Sequence, residues 1–187
     1  MRHYLLTGIA LSSVIFTGVT LGNSVHAKTL NSKLESNRQI LTNASKTSTY
    51  IALSNNSLAS IEQAVQTQIN QYRQQHNLPP LTIDERISNI ARTHSQNMAS
   101  GAVPFSHNGF QERVGAISKI IPLSAAAENV AYNKGYSDPA TQAVQGWLHS
   151  SGHLRNIEGN YNQTGIGVAM NDKGEYYLTQ MALLMLR

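Results

Sequence analysis

Apolar positions recur at helical spacing in three stretches of the chain and at strand spacing in its tail. Ser60 and Gln63 open the first helix as a capping box, and Ile61, Val65, Ile69 and Tyr72 then share one stripe. Leu78-Pro79-Pro80 stops it, because proline supplies no amide donor and clashes with the preceding turn. Thr82 and Glu85 form a second capping box, followed by Ile83, Ile87, Ile90, Ala91, His94 and Met98, with Gly101 as a left-handed terminator. Asp138 caps a third helix with Pro139 in its first position, and Ala143, Val144 and Trp147 point inward. From Gly165 the period changes to two. Gly165, Gly167 and Ala169 alternate with Ile166, Val168 and Met170, Asn171-Asp172-Lys173-Gly174 has hairpin-turn chemistry, and residues 175–184 return as a second strand. The tiny residues leave one face of that hairpin open to close approach by a helix. These elements predict an α+β fold, helices packed on a small antiparallel sheet.

The amino-terminal part has a different pattern. Arg2 and His3 precede an apolar stretch over residues 5–21, and Val25-His26-Ala27 follows with small residues at the −3 and −1 positions. That is the pattern of a secretory signal peptide over residues 1–27. Thr7, Ser12, Ser13, Thr17 and Thr20 dilute the stretch, which is also shorter than the about 20 apolar residues of a spanning helix, so no transmembrane anchor is expected in the mature form. Residues 28–57 include 15 Ser, Thr or Asn among 30 and show no sustained apolar period, which predicts a flexible linker. Residues 58–187 are then the folded domain. The expected location is outside the cytoplasm, secreted or periplasmic.

Composition narrows the chemistry. Of 187 residues, 41% are hydrophobic and 13% charged, enough to bury a core. The chain has no cysteine, which excludes disulfides, thiolate metal sites and a cysteine nucleophile. The formal charge of +4 comes from the amino-terminal part: from Leu58 onward nine Lys or Arg face nine Asp or Glu. A neutral body offers no basic stripe to a phosphate backbone, so no nucleic-acid partner is expected.

Candidate site residues lie between the periodic segments. His107 falls in Pro104-Phe105-Ser106-His107-Asn108-Gly109, a loop between helical patterns. His153 follows Gly152, whose backbone freedom would aim the imidazole inward. Glu128 stands in the apolar run Ala125-Ala126-Ala127-Glu128-Asn129-Val130 and needs a partner, since carboxylates are rarely buried alone. His94 lies on the apolar stripe of the second helix, where a hydrogen-bonded structural role is the ordinary one. Gaps of 21 and 25 residues between His107, Glu128 and His153 match no compact metal motif.

The order of these segments resembles the CAP superfamily of cysteine-rich secretory, antigen 5 and pathogenesis-related proteins, in its cysteine-free bacterial SCP-like branch. The blocks that carry the resemblance are Leu78-Pro79-Pro80-Leu81, Ala91-Arg92-Thr93-His94-Ser95, Phe105-Ser106-His107, Glu128-Asn129-Val130-Ala131, Trp147 to Ser150, Gly152-His153 with Asn156-Ile157, Gly165-Ile166-Gly167-Val168-Ala169 and Thr179-Gln180. The resemblance spans residues 58–187 and implies an α–β–α sandwich with a central cleft of two histidines and two glutamates, where some members bind zinc. His107, Glu128 and His153 match three of the four; Ser150 stands where the second glutamate usually falls. The resemblance implies a cleft of His94, His107, Glu128, Ser150 and His153, with His107 and His153 as the metal ligands for Zn2+ or another divalent ion. Two readings follow. In the favoured one the domain binds a lipid, an envelope component or a protein without catalysis. In the other it is a zinc-assisted extracellular hydrolase with Glu128 as general base, on only two protein ligands where catalytic zinc usually has three.

Overall fold

The structure, a computed structural model, describes residues 23–186. The signal-peptide pattern at residues 1–27 therefore lies mostly outside the described residues. Among the described residues there are five helices and four strands, in the order α1 (Asn23–Gln75), β1 (Thr82–Ile83), α2 (Glu85–Ala99), α3 (Phe110–Ser118), β2 (Leu123–Lys134), α4 (Pro139–Leu148), α5 (Ser151–Glu158), β3 (Gln163–Met170) and β4 (Glu175–Met185). No helix among them is long and apolar enough to cross a membrane.

The chain divides into two compact units, residues 1–50 and 51–187. In the first, residues 28–50 of the expected linker are helical, and residues 30–49 are exposed throughout. Thr47 and Thr49 donate their hydroxyls to the carbonyls of Asn43 and Ser45 one turn back, at 2.9 and 3.0 Å. Local bonding of this kind satisfies polar side chains in a stretch of helix that buries none of them. The linker expectation rests on the missing apolar period, and residues 30–49 bury no apolar face in the helix either.

The second unit is a three-layer sandwich. Its sheet has the order β1-β3-β4-β2, with the two-residue β1 parallel to β3 and the other pairs antiparallel. Side chains on successive β4 residues alternate between faces. Leu178 and Ala182 join Val65, Ile69, Val144, Trp147 and Ile157 beneath α1, α4 and α5. Met181 and Leu183 join Ile87, Ala91 and Ile117 beneath α2 and α3. This is the expected fold class.

The glycine face works as its pattern suggested. A Cβ on Gly165 would lie 2.4 Å from the Ile87 carbonyl carbon, and one on Gly167 would lie 2.1 Å from the Arg92 nitrogen. Only hydrogen fits between β3 and the α2 backbone. Beyond β1, side chains close the outer edge of β3: the Ile166 amide donates to Ser88 Oγ at 3.2 Å, and the Val168 amide to Glu62 Oε1 at 3.1 Å. Arg92 holds that same carboxylate at 2.6 Å, tying α1, α2 and β3 together.

Several local expectations hold and some shift. Asp138 caps α4 through the Thr141 amide at 3.0 Å, and Gly101 has φ +76° after α2. The cap of α2, however, is Asp84, whose carboxylate accepts the Arg86 amide at 2.9 Å. Thr82 and Ile83 form β1 instead, because their backbone pairs with β3. Elements α3, α5 and β2 carry no strong periodic signal. Three polar anchors set the place of α5 and β2. Trp147 Nε1–H donates to the Val130 carbonyl at 3.0 Å, fastening α4 to β2. Asn156 donates to the Glu128 carbonyl at 3.1 Å, fastening α5 to the same strand. The buried Arg73 guanidinium donates to the carbonyls of Ile157 and Gly159 at 2.6 and 3.0 Å, closing the carboxyl end of α5.

Candidate functional site

The site forms where the outer edge of β2 meets both helical layers. Glu128 projects from β2 on the side covered by α2 and α3, with its side chain only 1% exposed. A carboxylate there requires compensating donors, and three N–H groups from two side chains provide them. Arg113, on α3, grips it in a fork: Nε donates to Oε2 at 2.8 Å and Nη2 to Oε1 at 2.7 Å. His107 Nδ1–H donates to Oε1 at 2.9 Å.

Behind this fork, Arg113 Nη1 donates to the Asn108 carbonyl at 2.9 Å and to His94 Nδ1 at 3.2 Å. His94 Nε2–H donates in turn to the Ser106 carbonyl at 3.0 Å. His94 is thus a neutral imidazole whose tautomer is set by its two neighbours. Burial holds it below the ordinary histidine value; the Ser106 carbonyl opposes this, and the Arg113 charge reinforces it. The His94–Arg113–Glu128–His107 series links α2, α3, β2 and the loop between α2 and α3.

His153 lies on α5, from the opposite layer, with its ring centroid 6.2 Å from that of His107. Burial first, and His107 second, hold it below the usual value. Its Nδ1 is buried with no hydrogen-bond partner among the described residues. Gly152 sits in the first turn of α5 and is not one of the positive-φ glycines, so helix α5 and not a left-handed glycine aims this ring. Asn129 donates to the His153 carbonyl at 3.3 Å and to Gln180 Oε1 at 3.0 Å, and accepts from Asn156 at 2.9 Å. This amide network holds α5 against the sheet.

The structure brings His107, Glu128 and His153 together. A cleft of about 320 Å³ opens beside His107 and Glu128, lined by these two with Phe110, Asn156, Tyr161, Ala126 and Ala127; His153 is not part of its lining. His94 does not reach this cleft. It lines a separate hollow of about 310 Å³ between α2 and α3, on the far side of Arg113. Ser150 caps α5 through its backbone, with no side-chain capping bond, and does not line the cleft. Arg113 is the residue that the sequence reading missed. Its segment was unassigned, and no local pattern distinguishes a buried arginine from a solvated one. Asn129, Asn156 and Gln180 stood inside quoted motif blocks but without a role.

Comparison with known proteins agrees with this architecture. The sequence matches the Cysteine-rich secretory protein family, CAP, over residues 66–182. The chain belongs to the CAP family. It is 34% identical over 127 residues to the uncharacterized protein YkwD of Bacillus subtilis, covering 66% of this CAP chain and 48% of that protein. The CAP chain thus spans about half the length of that relative. An extracellular SCP-domain protein of Bacillus anthracis is 30% identical, with a TM-score of 0.54 over 68% of this chain and 41% of that one. An outer surface protein of Borrelia burgdorferi, at 14% identity, shares the fold alone, with a TM-score of 0.59 over 68% of this chain and 94% of that one.

The family resemblance raises zinc, and the donor set of this CAP domain can be tested against it. Catalytic zinc ordinarily has three protein ligands. Here two imidazoles are available, Ser150 supplies no carboxylate, and Glu128 has both oxygens engaged by Arg113. No group of three or more His, Asp or Glu is placed to share a metal among the described residues. The residues present do not fit a catalytic zinc site.

Proposed function

We propose that this CAP domain is an exported binding module, whose cleft holds a lipid, envelope or protein ligand without converting it. The observation that carries this reading is the Arg113 fork on Glu128. A carboxylate that already accepts two guanidinium bonds and one imidazole bond has about one lone-pair site left, and at 1% side-chain exposure that site is shut away from the water whose proton it would have to take. The cleft is therefore a preorganised surface in which the His107 imidazole and the Asn156 amide stand beside Phe110 and Tyr161. Such a mixture of apolar wall and few polar groups suits recognition. Export is supported by the signal-peptide pattern at residues 1–27 and by the extracellular description of the Bacillus anthracis relative.

The test combines metal, turnover and binding. Excess zinc at pH 7.5 should leave the melting temperature where chelator leaves it, and ester and peptide substrates should hydrolyse no faster than in buffer. Phospholipid vesicles, peptidoglycan fragments and uncharged peptides are then titrated against the chain while the His107 and His153 imidazole resonances are followed by NMR. At least one class should move them. Zinc stabilisation lost in His107→Ala and His153→Ala, accompanied by turnover, would instead establish the hydrolase.

A further inference from the structure

We infer that the ligand of the cleft is an extended peptide whose backbone pairs, strand to strand, with Ala126 on the outer edge of β2; this rests on the binding reading above. The parity of the sheet defines that edge. In β3 the amides of Ile166 and Val168 point away from β4, so Gly165, Gly167 and Ala169 form the hydrogen-bonded pairs with Met181, Thr179 and Tyr177. Backbone groups of successive residues point to opposite sides, so Leu178, Gln180 and Ala182 of β4 must pair with Ala131, Asn129 and Ala127 of β2. The amides and carbonyls of Ala126, Glu128 and Val130 therefore face outward.

Two of those outward carbonyls are already satisfied: Val130 accepts from Trp147 Nε1, and Glu128 accepts from Asn156. Ala126 differs. Neither its N–H nor its C=O has a hydrogen-bond partner among the described residues. Yet Ala126 is half-buried and lines the cleft together with Phe110 and Asn156. An unpaired strand edge is a template for another strand. A residue that offers one donor and one acceptor, side by side along a strand, is matched by the backbone of a second strand.

The surroundings select the class of peptide. Glu128, the one carboxylate in the lining, is neutralised by Arg113 and so does not attract a charged side chain. Ala126 and Ala127 add only methyl groups to the lining, so a backbone can approach. The occupant is an uncharged segment in extended conformation, read chiefly through its main chain.

The experiment uses the full chain with end-capped hexapeptides of Ala, Ser, Thr and Val. Binding should slow hydrogen exchange at the Ala126 amide and move the His107 resonance. In Ala126→Pro affinity should fall about tenfold, the usual worth of a lost hydrogen bond of this kind. Proline is tolerated at an edge position whose N–H faces out of the sheet. Should that variant fail to fold, the same peptides methylated on alternate amides are offered to the wild-type chain, and one methylated register should bind about tenfold more weakly. Peptide binding that leaves Ala126 exchange unchanged would overturn strand addition. So would the absence of any peptide effect. If vesicles or peptidoglycan fragments then still move His107 and His153, the cleft remains a binding site and only its peptide ligand is wrong. Silence from every probe would remove both readings.

Discussion

At the scale of single residues, Glu128 and Arg113 carry the largest electrostatic stake. Removing one partner of a buried ion pair leaves the other uncompensated, at a cost of about 3 kcal/mol. Arg113→Met should lower unfolding free energy by about that amount in urea titrations. The double variant with Glu128→Gln should lose less than the sum of the two single changes, and a coupling above about 1 kcal/mol would register the pair. His94 sets a pH dependence whose sign follows from its environment. Its folded value is depressed, chiefly by burial, below the unfolded value of about 6.5. The unfolded chain therefore binds more protons as pH falls below about 6.5, and the stability that neutral His94 contributes, full above that value, is lost through the acid range. His153 is depressed in the same direction. The denaturation midpoint should decline from pH 7.5 to pH 5. His94→Gln, which retains a donor for the Ser106 carbonyl, should flatten that decline, and an unchanged slope would remove His94 from the account.

At the scale of elements, the contact between α2 and β3 is the least forgiving. A Cβ at Gly167 would meet the α2 backbone at 2.1 Å, where no side-chain rotation can relieve it. Gly167→Ala should cost about 3 kcal/mol, because helix or strand must move apart. Gly146, exposed in the last turn of α4, has nothing within 4 Å of an added Cβ. Gly146→Ala should stabilise by about 0.5–1 kcal/mol, since alanine loses less backbone entropy in a helix. Thermal melts of the two variants should therefore move in opposite directions. The glycine at 167 was legible from the alternation of tiny and branched residues along β3. Strand β2 was not: Ala125-Ala126-Ala127 suits a helix as well as a strand, and only its ladder with β4 decides the matter.

At the scale of the molecule, the described side chains between residues 30 and 49 are exposed, and the family match begins at residue 66. A stretch of helix that buries no apolar face depends on local bonds alone and opens readily. Limited proteolysis should trim the chain to a resistant core that starts near Leu58. Early cuts within residues 58–187, seen by mass spectrometry of the fragments, would place the boundary elsewhere. The core that resists should contain the whole cleft, because α2, α3, β2 and α5 all lie inside it.

Local chemistry alone determined much of this protein. Asp138-Pro139 starts a helix, Gly101 ends one, and Asn171 to Gly174 turns a hairpin, because caps and turns are decided by residues within a few positions of one another. The same locality made His107, Glu128 and His153 recognisable within motif blocks arranged in a fixed order. Only the tertiary structure decided what those residues do. Arg113 meets Glu128 across 15 positions, and His94 meets Arg113 across 19. The outward face of Ala126 depends on a sheet parity handed from β3 through β4 to β2. Such pairings arise when separate layers pack around a common core, and no short stretch of sequence contains both partners.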